Sequence, residues 1–296
     1  MLARMIRILM ILVLILVVLS CALNHEKKVF KYFQLGWSPI IENVAYSNKK
    51  ALNNLIIEMK GGYGDINILC TPFTPTEYEE YLSEISKVSK IARTLEPIEL
   101  EISGRKLKAA KRTINQNECS IVCSDYYEGI AFSISYFGSC NISGGLVPIL
   151  RSIKYHFSKE TVDEARNDFL GIMNSIEKMN VPAYGKDSDI QYEYSLTGFT
   201  KRITYRVDTQ PYSVNILNFY RQFFEAHGWK PYKVGQTGDW VENRLFFTWV
   251  DRTGEILAKL LVLSEPNAKD AKLAPQTVLI DVTPNLVMEW GRKKGK

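Results

Sequence analysis

Apolar and polar side chains alternate over several stretches of this chain, and a period of two fixes each stretch as a strand with one buried face. Ile98, Leu100 and Ile102 alternate with Glu99 and Glu101, and Phe132, Ile134 and Tyr136 alternate with Ser133 and Ser135. Ile66, Ile68 and Cys70 share a face, as do Cys119, Ile121 and Cys123. One wet face and one dry face is the signature of an antiparallel sheet. Ala51 to Met59 and Asp65 to Cys70 read as strands joined at Gly61-Gly62-Tyr63-Gly64. That glycine run reads as a hairpin turn and not as a phosphate loop, because no helix start follows it. Ser103-Gly104 and Asp125 to Gly129 turn the chain between further strands.

Helices interrupt the strands. Thr74, Pro75 and Glu77 supply an N-cap, a favourable first position and the reciprocal acid of a capping box. Tyr78, Tyr81, Leu82, Ile85 and Val88 then recur at helical spacing, with Glu79, Glu80 and Glu84 on a solvated face. A second capping box, Thr161 with Glu164, opens a helix whose stripe is Val162, Ala165, Phe169, Ile172, Met173 and Ile176. Between these, Leu146 to Phe157 fits a helix through Ile149, Leu150 and Ile153 and a strand through Ile153, Tyr155 and Phe157. In the second half a strand near Phe199 to Val207 precedes a helix capped by Ser213, with Ile216, Leu217, Tyr220, Phe223 and Phe224 inward and Gly228 as its left-handed stop. Lys230 to Val234, Leu245 to Asp251, Glu255 to Leu263 and Gln276 to Thr283 read as strands. The expected fold is α+β, with two domains that each pack an antiparallel sheet against one or two helices. The expected boundaries are 35–179 for the first domain, 180–190 for a linker carrying Pro182, Gly185, Asp187 and Asp189, and 191–290 for the second. Residues 291–296 read as a frayed basic tail. An apolar content of 46% suits two such cores.

The start of the chain carries an address. Arg4 and Arg7 precede an apolar run from Ile8 to Leu19, which closes on Ser20-Cys21. A basic region, a short apolar region and a small residue describe an export signal over 1–20. Ser20-Cys21 resembles the lipobox of bacterial lipoproteins, which implies that Cys21 becomes the lipidated N-terminus, followed by a tether over 21–34. The absence of Asp after that cysteine implies an outer-membrane, periplasm-facing placement. The alternative is an uncleaved single transmembrane helix, although the run falls short of the roughly 20 apolar residues a span needs. Simple secretion is a third reading, and all three put the folded part outside the cytoplasm.

An oxidising compartment makes Cys70, Cys119, Cys123 and Cys140 candidates for one or two disulfides. Cys119 and Cys123 lie roughly 13 Å apart on a continuous strand, so each needs Cys70 or Cys140 as partner. No metal is expected, because the spacing of these cysteines fits neither a redox nor a zinc pair and the chain has 3 histidines. No serine elbow or His-Glu-x-x-His stretch occurs, so no catalytic residue and no cofactor are expected. Trp229, Trp240 and Trp249 read as core or sheet-edge packing, and His227 as a partner of a helix C-terminus. Lys106, Lys108 and Arg112 share one strand face, a candidate contact for anionic headgroups or polymer, with Glu99 and Glu101 opposite as competing partners. A net charge of +5 is no nucleic-acid footprint.

From about Trp37 to Met179 the element order resembles the PsbP/DcrB-like family of exported α/β domains. The likeness rests on an N-terminal hairpin, a capped helix, strands around Ser103-Gly104-Arg105-Lys106 and a closing helix that ends Ile172-Met173-Asn174-Ser175-Ile176. The segment from Cys140 to Phe157 lies outside that pattern. The second half, from Phe219-Tyr220 to Gly228-Trp229, is similar to small domains of other bacterial lipoproteins. The first resemblance implies a non-catalytic binding or assembly role and carries over no site residue, and the second implies an address and no activity; the expected partner is another envelope protein or polymer. Two rival expectations remain: a thiol-dependent enzyme using Cys119 and Cys123, and a carrier of a small ligand or lipid.

Overall fold

A computed structural model describes residues 27–36, 38–48, 52–89, 95–185, 190–207, 213–232, 237–241, 244–264 and 275–285. Cys21, the export signal and the basic tail lie outside the described residues, as do Asp187 and Asp189 of the expected linker. The first half runs β1 (Lys27–Val29), β2 (Phe33–Gly36), β3 (Ile41–Asn48), β4 (Asn53–Met59), β5 (Gly64–Thr71), α1 (Pro75–Ser89), β6 (Glu96–Ile102), β7 (Arg105–Thr113), β8 (Glu118–Tyr127), β9 (Ile130–Ser139), α2 (Leu146–Ser152), β10 (Ile153–Tyr155) and α3 (Lys159–Lys178). The second runs β11 (Gln191–Ser195), β12 (Thr200–Val207), α4 (Ser213–Ala226), β13 (Lys230–Pro231), β14 (Thr237–Val241), β15 (Arg244–Val250), β16 (Ile256–Ser264) and β17 (Gln276–Pro284). The fold is α+β, built on three antiparallel sheets. The strand orders are β1-β2-β10, then β3-β4-β5-β9-β8-β7-β6, then β11-β12-β17-β16-β15-β13 with β14 also on β15.

The large first-half sheet buries the face that the alternation marks. Ile66, Ile68 and Cys70 on β5, Cys119, Ile121 and Cys123 on β8, and Phe132, Ile134 and Tyr136 on β9 are all buried. Two tight turns keep these strands in register. Ser103 and Gly104 both take positive φ (51° and 76°), as do Glu128 and Gly129 (46° and 92°), which matches the twist of two-residue hairpins. The small sheet and α2 cover this face, contributing Tyr32, Phe33, Leu35, Leu146, Ile149, Leu150 and Ile153. The segment read as tether is therefore structured from Lys27 onward, because burying Tyr32 and Phe33 outweighs the solubility of the lysines beside them. The ambiguous stretch is helix and then strand, and the periodicity changes at Ile153.

The opposite face of this sheet is not simply wet. α1 lies over it, with the Tyr78 hydroxyl donating to Ser124 Oγ at 2.9 Å and the Tyr81 hydroxyl 2.6 Å from Ser133 Oγ. The serines that mark this face as polar are hydrogen-bond partners for a helix. The capping box forms as its residues dictate: Thr74 N–H donates to Glu77 Oε2 (2.8 Å) and Glu77 N–H to Thr74 Oγ1 (3.3 Å). Leu82 and Ile85 belong to the expected apolar stripe but stay exposed, since the helix turns only its tyrosine side onto the sheet.

α3 begins earlier than expected. Ser158, not Thr161, is its N-cap, and Ser158 Oγ accepts from Thr161 N–H at 3.3 Å. Ala165, Phe169, Met173 and Ile176 are fully buried along it. α3 and α4 pack on the third sheet, where Ile203, Tyr205, Phe247, Trp249, Leu260, Val262, Val278, Ile280 and Val282 form the buried face. Trp249 and Trp229 are core residues, whereas the Trp240 side chain lies outside the described residues. The strand β11 precedes the one expected near Phe199, and α4 starts at Ser213, the residue expected to cap it, whose side chain lies outside the described residues. Gly228 does end α4, at φ 79° with Trp229 N–H donating to the Phe224 carbonyl at 2.9 Å. Part of the expected linker is packed: Val181 is fully buried and Tyr184 N–H donates to the Tyr205 hydroxyl at 3.0 Å.

One buried charge pins the first half. Asp125 accepts both Nε and Nη2 of Arg105 (2.9 and 3.0 Å), the Tyr155 hydroxyl (2.9 Å) and Tyr126 N–H (2.9 Å). Arg105 is partly exposed, so the ion pair alone contributes little; the four donors around a buried carboxylate matter more. Asp125→Ala leaves Tyr155 and Arg105 without their acceptor and is predicted to lower unfolding stability by about 3 kcal/mol in urea titrations.

Candidate functional site

A groove of about 500 Å³ opens where α1, the outer face of β7 and β8, and the turn between β11 and β12 meet. Its floor follows from strand register: Arg112 lies opposite Ser120 and Ala110 opposite Val122, on the face turned away from the core. Tyr81, Glu84 and Ile85 of α1 form one wall, and Thr197, Gly198 and Phe199 form the other. The turn is held against the helix. Gly198 N–H donates to Ser195 Oγ at 2.7 Å, and Ser195 Oγ donates to the Glu84 carboxylate at 3.2 Å. Phe199 adopts φ 53°, a strained conformation for an aromatic residue, and its ring stacks on Phe73 at 5.7 Å.

The groove is apolar with one guanidinium and one carboxylate on its lining, and its volume falls within the roughly 300–1,000 Å³ of small-molecule sites. Val122 (42%), Ile85 (37%) and Phe137 (54%) leave apolar surface exposed at or near it. Phe137 lies on β9 directly across from Ser120. Such a surface can hold an alkyl chain or an apolar side chain. None of its lining side chains is a thiol or an imidazole.

The basic stripe divides by role. Lys106 Nζ pairs with Glu99 at 3.0 Å, and Lys108 lies opposite Glu99 in register, as the competing reading of this face requires. Arg112 alone lines the groove. The cysteines Cys70, Cys119, Cys123 and Cys140 all carry free thiols. Burial pushes Cys119 up to about 11, helped by a hydrogen bond with Cys140, and pushes Cys123 up to about 12. Burial raises Cys70 as well. Raised thiols hold little thiolate at neutral pH, the reverse of what a nucleophilic cysteine needs. His227 Nδ1 donates to the Phe223 carbonyl at 2.7 Å, the expected helix-end contact. Met173 is core. Among the described residues, no three His, Cys, Asp or Glu side chains gather as metal ligands would.

The groove has only a faint mark in the sequence. Its signal lies in Ala110 and Val122, apolar residues at positions where the alternation calls for polar ones. The turn that closes it comes from the other half of the chain, which no local pattern reveals. No protein-family model matches the chain, and no curated protein matches it.

Val122→Glu puts a carboxylate on the groove floor. It is predicted to weaken binding of an apolar fluorescent probe about tenfold, equivalent to about 1.4 kcal/mol, while shifting stability by only about 0.5 kcal/mol. Unchanged probe affinity in a fluorescence titration would show that the probe binds elsewhere.

Proposed function

We propose that the chain is a lipid-anchored protein of the bacterial cell envelope, non-catalytic, which binds another envelope component in the groove beneath α1. What carries the address is the N-terminal sequence: Arg4 and Arg7, the apolar run Ile8 to Leu19, and Ser20-Cys21. Acyl chains on Cys21 would hold the protein at the membrane, each buried methylene contributing about 0.8 kcal/mol. Ala22 in place of Asp favours the outer membrane, facing the periplasm. Among the described residues no helix is long and apolar enough to cross a membrane. The N-terminal segment, lipidated or spanning, is the membrane partner in this reading.

The volume and apolar lining of the groove favour a second reading, a carrier of a small apolar ligand or lipid. The two readings share one surface and differ in what fills it. The thiol-dependent alternative is the weaker one, because Cys119 and Cys123 are buried thiols with raised pKa.

Intact mass of the protein extracted from membranes tests the address. The expected mass lacks residues 1–20 and carries acyl chains, and Cys21→Ala should abolish both processing and membrane retention. A full-length, unacylated mass would replace the lipid with an uncleaved anchor.

A further inference from the structure

Four thiols sit in one sheet region, yet strand geometry allows very few of them to meet. Cys70 lies opposite Phe132 and Cys123 opposite Ile134, with β9 between them. Two strand spacings separate β5 from β8, about 9.5 Å, beyond the roughly 6.8 Å Cα span that a disulfide tolerates. Cys119 and Cys123 are four residues apart along one strand, and they are farther from each other still.

Cys119 and Cys140 are different. Cys119 is paired with Gly138, and Cys140 lies two residues past Gly138 on the same face, a diagonal cross-strand position. Cys140 N–H donates to the Asn117 carbonyl at 2.9 Å, which carries the pairing past the last strand residue and draws the chain inward. Cys119 Sγ lies 3.7 Å from the Ser139 carbonyl oxygen, and the Cys140 side chain is close enough to raise the Cys119 thiol. Cys140 is half-buried and Cys119 is fully buried, so one thiol is reachable and the other waits behind it.

We propose that Cys119 and Cys140 are a disulfide-forming pair, oxidised by a thiol–disulfide oxidant, while Cys70 and Cys123 remain thiols. The Cys140 thiolate attacks one sulfur of the oxidant's disulfide, forming a mixed disulfide and releasing one oxidant thiolate. Cys119, once deprotonated, attacks Cys140 Sγ, closing the protein disulfide and releasing the second. Two protons and two electrons leave the protein, and the oxidant's disulfide is reduced to two thiols. Because burial raises the Cys119 thiol, closure quickens as the pH rises from neutral to mildly alkaline. The bond would staple the open end of the β8–β9 hairpin, whose outer face carries Ser120 and Val122 of the groove floor. This inference does not depend on lipidation or on the groove's occupant.

The test incubates the folded, reduced full chain with oxidised glutathione at about pH 8.5, followed by alkylation under denaturing conditions and peptide mapping. The expected result is loss of the Cys119 and Cys140 thiols, a Cys119–Cys140 cross-linked peptide, and alkylated Cys70 and Cys123. Cys123→Ser should leave the cross-link intact, and Cys140→Ser should leave Cys70, Cys119 and Cys123 alkylated. Cys119→Ser should trap glutathione on Cys140. Thiols retained at all of Cys70, Cys119, Cys123 and Cys140, a stable glutathione adduct on any of these four in the unsubstituted chain, or a cross-link through Cys70 or Cys123 would overturn the proposal.

Discussion

The structure depends on the burial of Phe73, where the halves of the chain are joined. Its ring stacks at 5° on Phe199 from the second half, and meets Phe169 of α3 edge-on and Tyr81 of α1 at a tilt. Each such aromatic pair contributes about 0.5–1.5 kcal/mol beyond the area it buries. The core around it draws Leu52 and Ala131 from the first sheet region together with Ile203, Tyr205 and Trp249 from the third sheet. The apolar cluster thus runs across the boundary drawn at 180–190, with Val181 inside it. α3 belongs to the first half in sequence and packs on the last sheet in space.

That junction also makes the groove. Phe199 can stack on Phe73 only if the turn bends back sharply, and that bend sets Thr197 and Gly198 beside α1. Ser195 and Glu84 then lock the turn to the helix. The opening is what remains between a helix seated by two tyrosine–serine hydrogen bonds and a turn seated by an aromatic stack. Burial also governs the thiols: by raising their pKa it keeps Cys70 and Cys123 inert, and leaves Cys140 as the accessible one of the four.

Much of this was legible locally. The alternation at Ile98 to Ile102 and Phe132 to Tyr136, the capping box at Thr74 and Glu77, and the left-handed Gly228 each encode their structure within a few residues. What was not legible depends on distant partners. Ser133 looks solvent-facing until Tyr81 arrives from 52 residues away. Ser158 outcompetes Thr161 as a cap because its side chain reaches Thr161 N–H, and two hydroxyl residues three apart make that choice ambiguous. Tyr32 and Phe33 lie beside lysines that suggest a tether, and only the small sheet with β10 explains their burial. Of the candidate site residues, Arg112 reaches the groove because its register places it opposite Ser120, while Lys106 is held by Glu99 and Lys108 faces that same acid.

Through Phe73 both halves form one cooperative body. Calorimetry of the folded chain, with and without Phe73→Ala, tests it most directly. One transition is expected, with matching calorimetric and van't Hoff enthalpies, moved down as a whole by about 10 °C in the variant. Two resolved transitions, with only one of them displaced by the substitution, would contradict it.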